Sequence, residues 1–157
     1  MKLIPLTKGQ VAAVSDRDYA YVRQFKWSLH SKGYAHRTAV GSDGRPHCIL
    51  LHRVVAARAG RNTSRQIDHI DQNKLNCQRG NLRQATNSQN LANRGRQRNN
   101  TSGCKGVTWD KAKRRWLATI QVAGKQIFLG RFTAKREAYK AYCAAVRKYF
   151  GTYACTG

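Results

Sequence analysis

The chain has 157 residues, room for one ordinary domain or two small ones. Thirty Lys and Arg stand against seven Asp and Glu, a formal net charge of +23, so the unbound protein repels itself and a polyanionic partner is expected instead of a merely solvated basic surface. No apolar run approaches the roughly 20 residues that span a bilayer, which favours nucleic acid over membrane.

Met1 to Leu6 holds too short an apolar run for a signal peptide, so the chain is expected to stay in the cytoplasm where it is made. Residues 1–60 read as a mixed, strand-rich segment. Leu3–Leu6 and Gln10–Val14 are short strands, and Ser15 caps a brief helix across Asp16–Phe25. Lys26–His30 and Tyr34–Thr38 flank the turn Ser31-Lys32-Gly33. After the turn Gly41–Pro46, His47–Leu51 resumes the strand. Arg53–Ala59 reads as a helix with His52 at its N-terminal end. Cys48, Cys77, Cys104, Cys143 and Cys155 are odd in number and form no Cys-x-x-Cys pair, so they are reduced structural thiols, with neither a zinc site nor a disulfide framework.

Residues 61–94 carry the chemistry. Ile67-Asp68-His69 closes a short strand, a polar loop runs from Gln72 to Gly80, Asn81–Ala85 is the return strand, and Thr86–Arg94 reads as a helix. Asp68 and Asn90 offer the oxygen ligands that a hard divalent cation prefers, and His69 is a base that titrates near neutral pH. Taken singly, Asp68 is a turn residue, Asn81 a loop cap, Asn90 an exposed helix residue and His69 a surface or packing histidine. Together, in so basic a chain, they read as a one-metal hydrolytic site.

The spacing Asp68-His69, Asn81 twelve residues after the His and Asn90 nine further on, with Asp-His-Ile-Asp-x-Asn, Asn-Leu-Arg and Asn-Ser-Gln-Asn around them, resembles the HNH nucleases of ββα-metal fold. The likeness is to the phage and homing branch, whose third motif residue is Asn. The resemblance implies a metal-dependent DNA endonuclease in which His69 is the general base, Asn81 orients it, and Asp68 and Asn90 hold one divalent ion, Mg²⁺ first and Mn²⁺ as the alternative. His-Arg before an apolar helix is similar to what precedes the Asp-His motif in phage members. This leaves His52 two readings, a residue reaching the active site or a structural hydrogen bond at a helix start.

Arg94 to Ser102 holds no hydrophobic residue and three arginines, Arg94, Arg96 and Arg98; residues 95–102 read as a basic linker that lies along phosphates. In residues 103–157, Lys105–Trp109, Arg115–Val122 and Lys125–Phe132 are three strands. Thr133 then caps a helix over Ala134–Phe150 whose packed side is Ala138, Tyr142, Ala145 and Tyr149. Ser102-Gly103-x-Lys105-Gly106-Val107, Leu129-Gly130-x-Phe132, Glu137-Ala138, Ala141-Tyr142 and Phe150-Gly151 resemble the plant ethylene-response-factor (APETALA-type) DNA-binding domain.

By that resemblance the exposed sheet face reads duplex DNA through Lys105, Thr108, Arg115, Thr119, Gln121 and Phe128. Several plant arginines and one Trp are replaced, so the plant target sequence does not carry over. Trp116, Ile120 and Phe132 are assigned to packing. Lys111, Lys113, Arg114, Lys125, Lys135 and Arg136 are expected on phosphates.

The expectation is therefore an α+β protein. It comprises a ββα-metal core with an N-terminal strand-rich extension, and a small three-stranded antiparallel sheet packed on one C-terminal helix. It would act as a monomer or weak dimer on double-stranded DNA, nicking one strand per active site, in the cytoplasm of a bacterial host if phage-encoded. The rival reading is a non-catalytic DNA-binding regulator built on the same scaffold.

Overall fold

A computed structural model describes residues 1–156, and two compact units divide the chain between Ala85 and Thr86. In the first unit β1 (Lys2–Pro5) pairs antiparallel with β2 (Val11–Val14), and α1 (Asp16–Val22) follows. Strands β3 (Ser28–Leu29), β4 (Ala35–Val40) and β5 (Pro46–Leu50) form an antiparallel sheet in that order. Helix α2 (Leu51–Arg58) then leads to the hairpin of β6 (Gln66–His69) and β7 (Leu82–Ala85), with Asp68 opposite Arg83 and His69 opposite Leu82.

The elements close on one core that includes Ile4, Val14, Val22, Trp27, Leu51, Val55, Ile67 and Leu82. Trp27 buries its ring and satisfies its indole N–H on the Val22 carbonyl at 2.8 Å. Helix α2 shows how sequence sets orientation. Leu51, His52, Val55 and Ala56 recur at helical spacing and are its buried face, so the first turn carries a histidine into the interior.

A polar tie crosses this unit. Asp18 is fully buried on α1 and accepts two hydrogen bonds from Arg79, both at 2.7 Å, and one from Arg58 at 3.2 Å. Ser15 occupies the N-cap position of α1, but its hydroxyl accepts from the Arg79 backbone N–H instead of capping the helix. Arg79 and Asn81 share one 3₁₀ turn, so α1 and α2 together pin the turn that leads into β7.

The second unit begins with α3 (Asn87–Asn93), which a capping box of Thr86 and Gln89 opens. Strands β8 (Val107–Asp110), β9 (Arg115–Val122) and β10 (Lys125–Phe132) form an antiparallel sheet with β9 central, and α4 (Lys135–Phe150) packs on it. The core holds Val107, Ala118, Ile120, Ala138, Tyr142, Ala145, Val146 and Phe150, together with Ala92 of α3. Trp116 and Phe132 pack against it, as does Ile127.

Two details of α4 differ from the sequence reading. Ala134 holds the N-cap position with no side-chain bond, so Thr133 is not the cap. Tyr149 is 44 % exposed, and Val146 and Phe150 complete the packed face in its place. All five cysteines are free, Cys77 fully buried with its thiol pushed up to about 12 by burial and by nearby Asp71. Among the described residues no helix is long and apolar enough to cross a membrane.

Candidate active site

The first unit gathers two histidines and a tyrosine beneath the β6–β7 hairpin. His69, last residue of β6, is 5 % exposed, and its ring lies edge-on to that of His52, centroids 5.0 Å apart. Tyr34 sits 5.2 Å from His52 and 6.1 Å from His69, and the Lys74 ammonium lies 4.8 Å over the Tyr34 ring while donating to the Lys32 carbonyl. Burial holds His69 below the ordinary imidazole range; the Asp71 and Asp68 carboxylates oppose that shift and Lys74 reinforces it. His52 is pushed down to about 3, first by burial and then by His69 and Arg53, so it is a neutral imidazole at any physiological pH. Its Nδ1 is buried without a hydrogen-bond partner.

Asp68 stands beside His69 on β6 and is also buried. Its Oδ2 accepts from Arg83 Nε at 2.9 Å, a pairing that follows from the hairpin register. Asn81 works on the loop between the strands. Its Nδ2 donates to Asp71 Oδ1 and to the Asn76 carbonyl, each at 2.8 Å, and its Oδ1 accepts from the Asp71 N–H at 3.1 Å. Its backbone carbonyl accepts from Ile70 N–H, so the residue next to His69 is tied to Asn81 directly.

The loop has an internal hub that the sequence reading missed. Asp71 also accepts from the Asn73 backbone at 2.9 Å and the Asn76 side chain at 2.7 Å. Burial pushes its carboxyl up, but these bonds and that of Asn81 outweigh it and leave the group below the usual carboxylate range. Asp71, Asn73 and Asn76 turn the backbone by bonding to amides two residues on, the Asx pattern their spacing announces. Backbone bonds between Ala13 and both Leu75 and Cys77 then stitch the loop to β2.

Asn90 lies on α3 and so belongs to the second unit. There, the face of the sheet turned away from α4 presents Thr108, Arg115, Thr119, Gln121 and Phe128. The alternation of buried Ala118 and Ile120 with these positions, and the pairing of Thr119 with Phe128, gather them on one side. Phe128 is 57 % exposed, with the Arg131 guanidinium 5.3 Å over its ring. Arg131 was not singled out in the sequence, because a β-bulge between Phe128 and Gly130 shifts which side chains face outward. Lys105 is used differently: its ammonium donates to the carbonyls of Leu91, Ala92 and Arg94 at the end of α3. Arg94 and Arg98 are exposed, and Arg96 donates to the Gly103 carbonyl.

Residues 50–92 match the HNH endonuclease family. The match is confined to the segment that holds α2, the β6–β7 hairpin and most of α3. Protein 3.8 of Escherichia phage T7 is 45% identical over 60 residues, 38% of this chain and only 50% of that protein. The "Uncharacterized HNH endonuclease L560" of Acanthamoeba polyphaga mimivirus is 29% identical over 150 residues, 94% of this chain and 74% of its own length. No solved structure matches.

Among the described residues, no three His, Cys, Asp or Glu side chains come together to hold a divalent ion. The Asp68 carboxylate offers the oxygen donor that a hard cation prefers.

Proposed function

We propose that this protein is a metal-dependent DNA endonuclease that nicks one strand of duplex DNA per active site. The observation that supports it most is the buried Asp68-His69 pair beside the Asn81-braced loop, within the segment that matches the HNH family. His69, kept neutral by burial, takes a proton from water as the water oxygen attacks phosphorus. The bond to the 3′ oxygen breaks, and that oxygen acquires a proton from solvent. Asn81 and Asp71 hold the chain next to His69 so that the base meets its water in one orientation. Asp68 and Asn90 would hold the ion, whose chemistry when bound is Lewis-acid stabilisation of charge on the phosphate oxygens. His52, neutral and packed edge-on to His69, limits the tilt of the base.

Duplex DNA falls to the second unit. Thr108, Arg115, Thr119, Gln121 and Phe128 offer one face for base edges, and Lys111, Lys113, Arg114, Lys125 and Arg136 supply phosphate contacts. The linker arginines Arg94 and Arg98 extend that basic surface, and Arg96 adds its charge while tied to Gly103.

Cleavage of supercoiled plasmid with Mg²⁺, Mn²⁺ or EDTA, by wild type and by His69→Ala, tests the reading. Metal-dependent conversion to open circles, lost in the variant while gel-shift binding survives, is expected. The acid limb of the rate should fall below pH 6.5, because the His69 pKa is lowered and the neutral form persists into mild acid. Tight binding with no cleavage under any metal would leave a DNA-binding regulator.

A further inference from the structure

Helix α3 has seven residues, too few to be stable by propensity alone. Contacts within the second unit hold it. Ala92 is part of the core with Val107, Ile120 and Tyr142, Ser88 Oγ accepts from the Ala123 N–H at 3.1 Å, and the Ala92 carbonyl accepts from the Cys155 N–H at 3.3 Å. A side chain from outside the helix closes its C-terminal end. Lys105 Nζ reaches the carbonyls of Leu91 at 3.3 Å, Ala92 at 2.6 Å and Arg94. These are groups that a helix end leaves without intrahelical partners, at the negative pole of its dipole.

The ammonium is half-buried, and burial lowers its pKa. The three carbonyls offset the desolvation of this cation and tie the turn before β8 to the end of α3. The same group, fixed in this way, is withdrawn from base reading.

We propose that Lys105 is a positioning residue of the nuclease reaction: by gripping the end of α3 it fixes the helix that presents Asn90. The proposal rests on the reading that Asn90 serves that reaction. It makes the sheet and Asn90 parts of one rigid body, so that Lys105 governs turnover and not affinity.

The test uses the full chain as wild type, Lys105→Met and Lys105→Arg. Met keeps the length of the side chain and removes the charge, and Arg keeps the charge and the donors. Three readouts are taken: amide hydrogen exchange, gel-shift affinity for duplex DNA, and single-turnover nicking over a Mg²⁺ titration. Lys105→Met should speed exchange at Asn90–Arg94 by at least about tenfold, the loss of hydrogen bonds to a charged donor, while β9 and β10 stay protected. Nicking should slow by about 10–100-fold and need more Mg²⁺, the usual effect of removing support behind a metal ligand, with DNA affinity nearly unchanged. Lys105→Arg should recover much of the rate.

A loss of nicking matched by an equal loss of affinity would overturn the proposal and return Lys105 to the DNA-reading face. Unchanged exchange at α3 would overturn it as well. A wild-type protein that never nicks refutes the nuclease reading and with it the catalytic meaning of the grip, whereas exchange at α3 separately decides whether the grip exists.

Discussion

Replacing Asp18 with Asn removes the charge from the centre of the N-terminal unit while keeping the side chain's size. Asp18 accepts three hydrogen bonds from guanidinium groups, two from Arg79 and one from Arg58, with no exposure of its own. Hydrogen bonds to charged groups contribute roughly 1.5–3 kcal/mol each. Both arginines retain some access to water, 29% and 37% exposed, so they recover part of the loss by turning outward. A net cost of about 3 kcal/mol follows, at the lower end of what breaking a buried ion pair costs. Calorimetry of the full chain should show the transition of this unit lowered by ~12–24 °C, the range for a unit of this size.

The pH dependence supplies a second arm. The hydrogen bond and charge of Arg79, with those of Arg58, hold the Asp18 carboxyl below its usual value against burial. Its pKa being depressed on folding, the contribution is complete above the unfolded carboxyl pKa of ~3.9 and disappears as the pH falls through the lower folded value. Wild type and Asp18→Asn should therefore converge in strong acid and diverge as the pH rises. A difference below about 1 kcal/mol at pH 7, or one that does not shrink in acid, would refute this account.

Two further perturbations follow from the same structure. His52 is neutral down to about 3 when folded but takes a proton near 6.5 when unfolded; stability is complete above pH 6.5 and falls as the pH drops toward 3. Urea midpoints from pH 7 to pH 4 should fall more steeply for wild type than for His52→Gln, and equal slopes would count against burial as the cause. Gly106 has φ +71, and a Cβ there would lie 2.1 Å from Tyr142 Cδ2 and 2.8 Å from the Thr119 carbonyl oxygen. Gly106→Ala should cost the C-terminal unit about 3 kcal/mol from overpacking and left-handed strain together, visible as a lower midpoint in urea.

Local order was legible in the sequence wherever one short segment carried its own signal. Ser31-Lys32-Gly33 gives a hairpin turn, Thr86–Arg94 reads as a helix where α3 runs over Asn87–Asn93, and Ile120, assigned to packing, is buried in β9. The pairings that join distant segments were not legible. Asp18 finds Arg79 across 61 residues, and nothing local marks either residue, since an Asp at a helix start and an Arg in a loop are ordinary surface features. Lys105 illustrates the same point: expected as the first residue of a strand, it lies in the turn before β8, and nothing local announces the α3 carbonyls that its long side chain meets. In the candidate site, the residue types Asp68, His69 and Asn81 were read from spacing. The hub at Asp71 and the imidazole contact with His52 depend on how the loop and α2 pack, which spacing does not encode.

The way α3 is held also decides how this protein can be recombined. A chimaera cut in the arginine-rich stretch after Arg94 would keep α3 from one parent and take Lys105 from the other, leaving the grip to chance. A cut between Ala85 and Thr86 carries the capping box, Ala92, Lys105 and the sheet as a single cassette. If the second unit reads DNA as proposed, an exchange of target preference made at this boundary brings a new residue at position 90 with it. On the proposed reading, DNA recognition and the part that Asn90 plays in the reaction are inherited as one piece.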